Sequence, residues 1–107
     1  MYYFDHNATT PIAPEVLAVL QHAQAEVFGN PSSIHAAGQA ARRQVEAARV
    51  QVAKMLGCDA KEIVFTSGGT ESDNLAVLGA PAGHVITTAV EHPAVLSACR
   101  VHGEVTV

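Results

Sequence analysis

Phe65-Thr66-Ser67-Gly68-Gly69-Thr70-Glu71-Ser72-Asp73-Asn74 decides how the rest of the chain is read, because a strand-like run turns through two glycines straight into a helix-forming segment. Such a turn is a building block of open α/β sheets. Unpaired backbone N–H groups at a helix start carry partial positive charge, glycine lets backbone approach a ligand closely, and the Thr70 hydroxyl adds a donor. The segment therefore suits an anion such as phosphate. A plainer reading stands beside it: Thr70 and Asp73 form a capping box and nothing binds. The stretch lacks the Gly-Lys-Ser/Thr of a Walker loop and the three-glycine spacing of a dinucleotide fold.

Upstream of this stretch, Glu62 to Thr66 has the β-branched and aromatic content of a buried strand, and Asp59 and Lys61 mark a turn before it. From Ile34, the residues Ala41, Val45, Ala48, Val52 and Met55 share one helical face. Arg42, Arg43, Glu46, Arg49 and Lys54 occupy the others, and Gly57 ends the helix. Asn30-Pro31-Ser32-Ser33 reads as a turn whose serines cap that helix. An earlier helix opens at Pro14, carries Val16, Leu20, Ala23 and Val27 as a stripe, and stops at Gly29. Tyr2 to Phe4 favours a strand, and Asp5 to Pro11 an ordered loop.

Downstream, Thr70 to Leu78 reads as a helix, Gly79 to Gly83 as a loop and His84 to Thr88 as a strand. Pro93 opens a further helix through Cys99 to His102, Gly103 closes it, and Glu104 to Val107 begins a third strand. The fold class is α/β, with an incomplete sheet and flanking helices, and residues 1–107 read as a single incomplete domain. Three core strands would leave a sheet edge unpaired, so further chain or a partner is expected to cover it.

The next motif, Thr87-Thr88-Ala89-Val90-Glu91-His92-Pro93, sets a His just past the end of a predicted strand. Ligands of open α/β sheets sit outside the carboxyl ends of the strands, so Gly69, Thr70 and His92 are candidates for one crevice. A His there can exchange protons near neutral pH or stack on a planar ring, or it can simply cap a helix. Asn7, Thr9 and Thr10 either line a site or satisfy their own turn. Cys58 follows a helix-ending Gly and Cys99 lies among apolar neighbours, so both read as structural thiols.

Composition narrows the classes. Hydrophobic residues make up 49% and charged residues 15%, which suits a chain that buries a core. A formal net charge of -4 leaves no broad basic surface for nucleic acid. The two cysteines lack metal-ligand spacing, so no metal site is expected, and a reducing cytoplasmic compartment fits them. No apolar run approaches the roughly 18 residues of a membrane span, and the first residues, with an acid and no basic stretch before an apolar core, are not expected to act as a secretory leader.

Four segments together resemble one family: Tyr3-Phe4-Asp5-His6-Asn7-Ala8-Thr9-Thr10-Pro11, Gly29-Asn30-Pro31-Ser32-Ser33-Ile34-His35, Thr66 to Asn74, and Thr88 to Pro93. In order and spacing they look like the opening third of the cysteine desulfurases of the NifS and IscS kind, in the class V aminotransferase group. The resemblance implies a fold-type I enzyme dependent on pyridoxal 5'-phosphate (PLP). By that resemblance Gly69 and Thr70 hold the cofactor phosphate, His92 stacks on the pyridine ring and takes part in proton transfer, and the loop with Asn7 and Thr9 lies near the substrate entrance.

The implied reaction converts L-cysteine to L-alanine and leaves an enzyme persulfide, whose sulfur passes to an acceptor or scaffold protein for iron–sulfur cluster or thiocofactor assembly. The implied full-length enzyme is a homodimer. Such chemistry needs a Lys to hold the cofactor covalently and a nucleophilic Cys. Lys54 and Lys61 are the only lysines, and neither they nor Cys58 and Cys99 match the family's positions. The isolated chain is therefore expected to be inactive. Two alternatives stand beside this reading: a non-catalytic PLP- or phosphate-binding remnant, and a related class V enzyme such as a selenocysteine lyase.

Overall fold

The computed structural model describes residues 2–81 and 83–107. It divides into two compact units, one running to Ile63 and the other from Val64 to Val107.

The first unit holds helices α1, Pro14–Glu26, and α2, Ala36–Leu56, followed by a short 3-10 turn, Ala60–Glu62. Pro14 opens α1 as expected from its fixed φ. The helix ends at Glu26 with Val27 as its cap, short of the expected stop at Gly29. The α1 stripe is not a buried face, since Val16 and Leu20 remain exposed. Helix α2 has the expected length and terminator: Gly57 takes the left-handed conformation at φ 71°.

Its N-cap is a correction. His35, rather than a serine of the 30–33 turn, caps α2, and its Nδ1 accepts the Gly38 N–H at 3.3 Å. The serine stretch instead folds on itself, with Ser32 N–H donating to Asn30 Oδ1 at 2.9 Å. Two glycines let this turn close. A Cβ on Gly38 would lie 2.5 Å from the Ser33 carbonyl oxygen and 2.7 Å from that of Asn30, and one on Gly29 would run into the Ala37 carbonyl. Ala41 and Ala53 are buried on α2, and Arg49 reaches the Ile63 carbonyl and Glu46.

The second unit holds α3, Gly69–Gly79; β1, Val85–Ile86; α4, Pro93–His102; and β2, Val105–Thr106. Strands β1 and β2 pair in parallel with Val85 opposite Val105, and α4 is the crossover that a parallel pair requires. Helices α3 and α4 pack on each other. Ala94, Ala98 and Cys99 form the buried face of α4, and such small side chains allow a close helix approach. Cys99 is thus a core thiol, whereas Cys58 is exposed.

Two expected strands are absent among the described residues. Tyr2 to Phe4 is irregular, and residues 63–66 follow the 3-10 turn without joining a sheet. The composition of residues 62–66 was right for a strand, but β-propensity expresses itself only where a neighbouring backbone completes a ladder. Val64 and Phe65 are correspondingly exposed, not buried. The ladder that does form among the described residues has two strands, not three, and its strand-helix-strand unit surrounds α4 rather than α3.

Candidate functional site

The start of α3 is built by side chains that brace the turn from behind. Glu71 Oε2 accepts both the backbone N–H and the hydroxyl of Ser67, each at 2.6 Å. These bonds, the hydroxyl first and the amide second, hold the Glu71 carboxyl below its ordinary value of 4.5. Thr66 Oγ1 donates to the Gly68 carbonyl at 3.2 Å and lies 2.6 Å from Ser72 Oγ. Within the helix, Asn74 Nδ2 donates to the Thr70 carbonyl at 2.8 Å.

In front of the turn the arrangement is open. Gly68 is the N-cap of α3 and supplies no side-chain hydrogen bond, so the first N–H groups of the helix have no side-chain cap. Added Cβ atoms on Gly68 and Gly69 would meet nothing within 4 Å. The capping-box reading is thereby corrected. Thr70 is the second residue of the helix, not its cap, and the carboxylate that reaches back is Glu71, not Asp73. An open, uncapped helix start with a threonine hydroxyl beside it fits an anion the size of a phosphate.

His92 caps α4. Pro93 at the first helical position has no N–H, and the buried Ala94 donates its N–H to His92 Nδ1 at 3.1 Å. The expected cap role of this His is therefore observed, and His92 as a residue is exposed. Gly69, Thr70 and His92 all belong to the second unit, at the starts of two helices that pack together. Asn7 and Thr9 belong to the first. Thr9 is used within its own turn, where its N–H donates to the Asp5 carbonyl at 3.2 Å and its hydroxyl pairs with that of Tyr3. Asn7 is exposed.

Two cavities lie within single units. One, of about 410 Å³, runs between Pro31 and Ser32 and the α2 residues Arg42, Val45, Glu46 and Arg49. The other, of about 320 Å³, is bordered by Val77, Pro81, His84 and His102 among others. Neither is lined by Gly69, Thr70 or His92, and Gly68, Gly69 and Thr70 are exposed. Among the described residues no cluster of three His, Cys, Asp or Glu side chains could hold a metal ion. No helix among them is long and apolar enough to cross a membrane.

The residues that sequence reasoning missed are Ser67 and Glu71, the brace, and His35, the cap of α2. A signal for the brace was present, since a hydroxyl residue ahead of a helix with a Glu in the first turn is a helix-start pattern. It is displaced here by the glycine pair between the two partners.

Comparison with known proteins bears on what this arrangement belongs to. The family profile described as aminotransferase class-V matches residues 2–106. A cysteine desulfurase of Trichormus azollae is 48% identical over 103 residues, covering 92% of this chain and 26% of its own length. A putative cysteine desulfurase IscS of Bacillus subtilis is 47% identical over 104 residues, with 92% and 27% covered. Among solved structures, SspA in complex with cysteine superposes with a TM-score of 0.87 at 38% identity, covering 99% of this chain and 33% of its own. A NifS-like protein gives 0.83, also at 38% identity, with 97% and 31% covered. The chain thus spans about a quarter of the length of the curated relatives it matches. It belongs to the aminotransferase class-V family, as the N-terminal part of a cysteine-desulfurase-like chain.

Proposed function

We propose that this chain supplies the phosphate-holding and ring-facing residues of a PLP-dependent cysteine desulfurase. The observation that carries the reading is the start of α3, where two glycines face open space and the first N–H groups lack a side-chain cap. The N–H groups of Gly69 and Thr70 and the Thr70 hydroxyl bind the phosphate, while the brace from Glu71 to Ser67 holds the turn in shape. His92 lies against the pyridine ring and takes part in proton transfer. PLP bound there serves as an electron sink for the substrate carbons.

In this reading the substrate of the whole enzyme is L-cysteine, the products are L-alanine and sulfur carried by the enzyme, and the sulfur goes to an acceptor protein. The enzyme acts as a cytoplasmic homodimer, and the loop with Asn7 and Thr9 borders the route taken by the substrate. Support comes from the family membership and from the relatives named above. The covalent work falls to none of the groups described. Lys54 sits in the last turn of α2, Lys61 pairs with Asp59 at 3.5 Å, and Cys99 is buried. These 107 residues should bind PLP through its phosphate without turning over cysteine.

Titration of PLP into the purified chain, followed by the cofactor's absorbance and by competition with inorganic phosphate, tests this. Saturable binding displaced by phosphate and abolished by Gly69→Val is expected, with no alanine formed from cysteine. Binding indifferent to both phosphate and Gly69→Val would overturn the assignment of the α3 start. Covalently retained PLP after borohydride treatment would overturn the claim that the lysines here do not attach it.

A further inference from the structure

The cap of α4 fixes which nitrogen of His92 carries the proton. An amide N–H can only donate, so the bond from Ala94 requires a lone pair on Nδ1. The neutral ring must then carry its proton on Nε2. Two neighbouring features favour this bond. Pro93 removes the amide that would otherwise precede Ala94, and Ala94 is itself buried, so its N–H is shielded from water and needs an acceptor. His35 Nδ1 accepts from Gly38 in the same sense at the start of α2, with a longer contact of 3.3 Å.

We propose that the Ala94 amide is a positioning group that holds His92 as the Nε2–H tautomer, so that the capped imidazole offers the cofactor site a hydrogen-bond donor and not a base. The one lone pair of the neutral ring is occupied by the cap, and Nε2 already bears hydrogen. For His92 to take up a proton at Nδ1, the Ala94 bond must break. Proton acceptance by His92 and an intact α4 cap therefore exclude each other. This rests on the reading of His92 as ring-facing only for its mechanistic consequence; the tautomer itself follows from the cap.

The experiment is nitrogen NMR on the 15N-labelled 107-residue chain, without PLP. Long-range correlations of the imidazole should give His92 one tautomer, with a pyridine-like Nδ1 and a pyrrole-like Nε2. A through-hydrogen-bond nitrogen–nitrogen coupling should link Nδ1 to the Ala94 amide. His22, on α1 and without such a cap, should show the averaged shifts of a ring exchanging between tautomers. In Ala94→Pro the coupling disappears and the His92 shifts move toward those of His22. A pyrrole-like Nδ1 in the wild-type chain, or no coupling to Ala94, overturns the proposal. So does a single fixed tautomer persisting in Ala94→Pro. Should that variant not fold, the wild-type coupling decides alone. If the coupling is present while PLP binding ignores His92→Ala, the tautomer stands and only the ring-facing reading falls.

Discussion

Two loop-to-helix junctions in this chain are rich in glycine and hydroxyl residues, and they use glycine for opposite reasons. At the junction leading into α2, Gly29 and Gly38 are filled in by the chain itself: their missing Cβ atoms would collide with the backbone of Asn30, Ser33 and Ala37. At the junction leading into α3, Gly68 and Gly69 face nothing within 4 Å. Backbone strain does not explain the second pair, because Gly68 at φ 163° is extended backbone and Gly69 is helical. With packing and dihedral removed as reasons, the open pair agrees with the close approach of a phosphate proposed above. A glycine is therefore a pointer to a ligand only when the molecule's own atoms leave its Cβ position empty.

The largest effect that can break this comparison is on stability. Gly38→Ala and Gly29→Ala each force backbone apart and should destabilise the first unit by about 2–3 kcal/mol. Gly68→Ala and Gly69→Ala should stay within about 1 kcal/mol of wild type, since Ala suits the first turn of a helix better than Gly. Urea denaturation midpoints for the four variants give the answer. Similar losses at both junctions would end the distinction.

Next in size is binding. Thr70→Val removes a hydroxyl donor while keeping the shape of the side chain, and a hydrogen bond to a charged group contributes about 1.5–3 kcal/mol. PLP should bind roughly 10- to 100-fold more weakly to that variant, read from the same absorbance titration, with its urea midpoint unchanged. Gly57 supplies a third kind of glycine for contrast. Its Cβ position is open, but its φ of 71° is left-handed, so Gly57→Ala should cost about 1 kcal/mol in stability and nothing in PLP affinity.

How far the sequence could be read depended on whether the signal was local. Helix starts and stops at Pro14, Gly57, Pro93 and Gly103 were legible because a fixed φ or a left-handed residue acts on its own neighbours. Residues 62–66 form no strand despite their composition, because a strand needs a second backbone, which propensity cannot supply. The glycine pair was legible as a candidate anion site, yet the identity of its brace was not. Whether Asp73 or Glu71 reaches back depends on which residue is the N-cap, and helix ends are uncertain by a residue or two from sequence. His92 showed both of its possible faces in the sequence. The folded chain shows the cap, with His92 still an exposed residue.

The smallest expected effect concerns the brace, and it asks whether the open junction is held in shape by the chain or left to its ligand. Glu71 accepts two hydrogen bonds from Ser67, and these lower its carboxyl below the ordinary 4.5. A carboxyl whose folded value is depressed favours the folded state fully above its unfolded value. That contribution is lost as pH falls through the lower folded value. The urea midpoint of the wild-type chain should therefore decline as pH drops below about 4.5, and Glu71→Gln should decline less over the same window while starting lower at neutral pH. Because the carboxylate is fully exposed, water screens the effect, and the difference between the two profiles should be slight. Parallel profiles would mean that the brace does not hold in solution, and that Gly68 and Gly69 are shaped only when something binds.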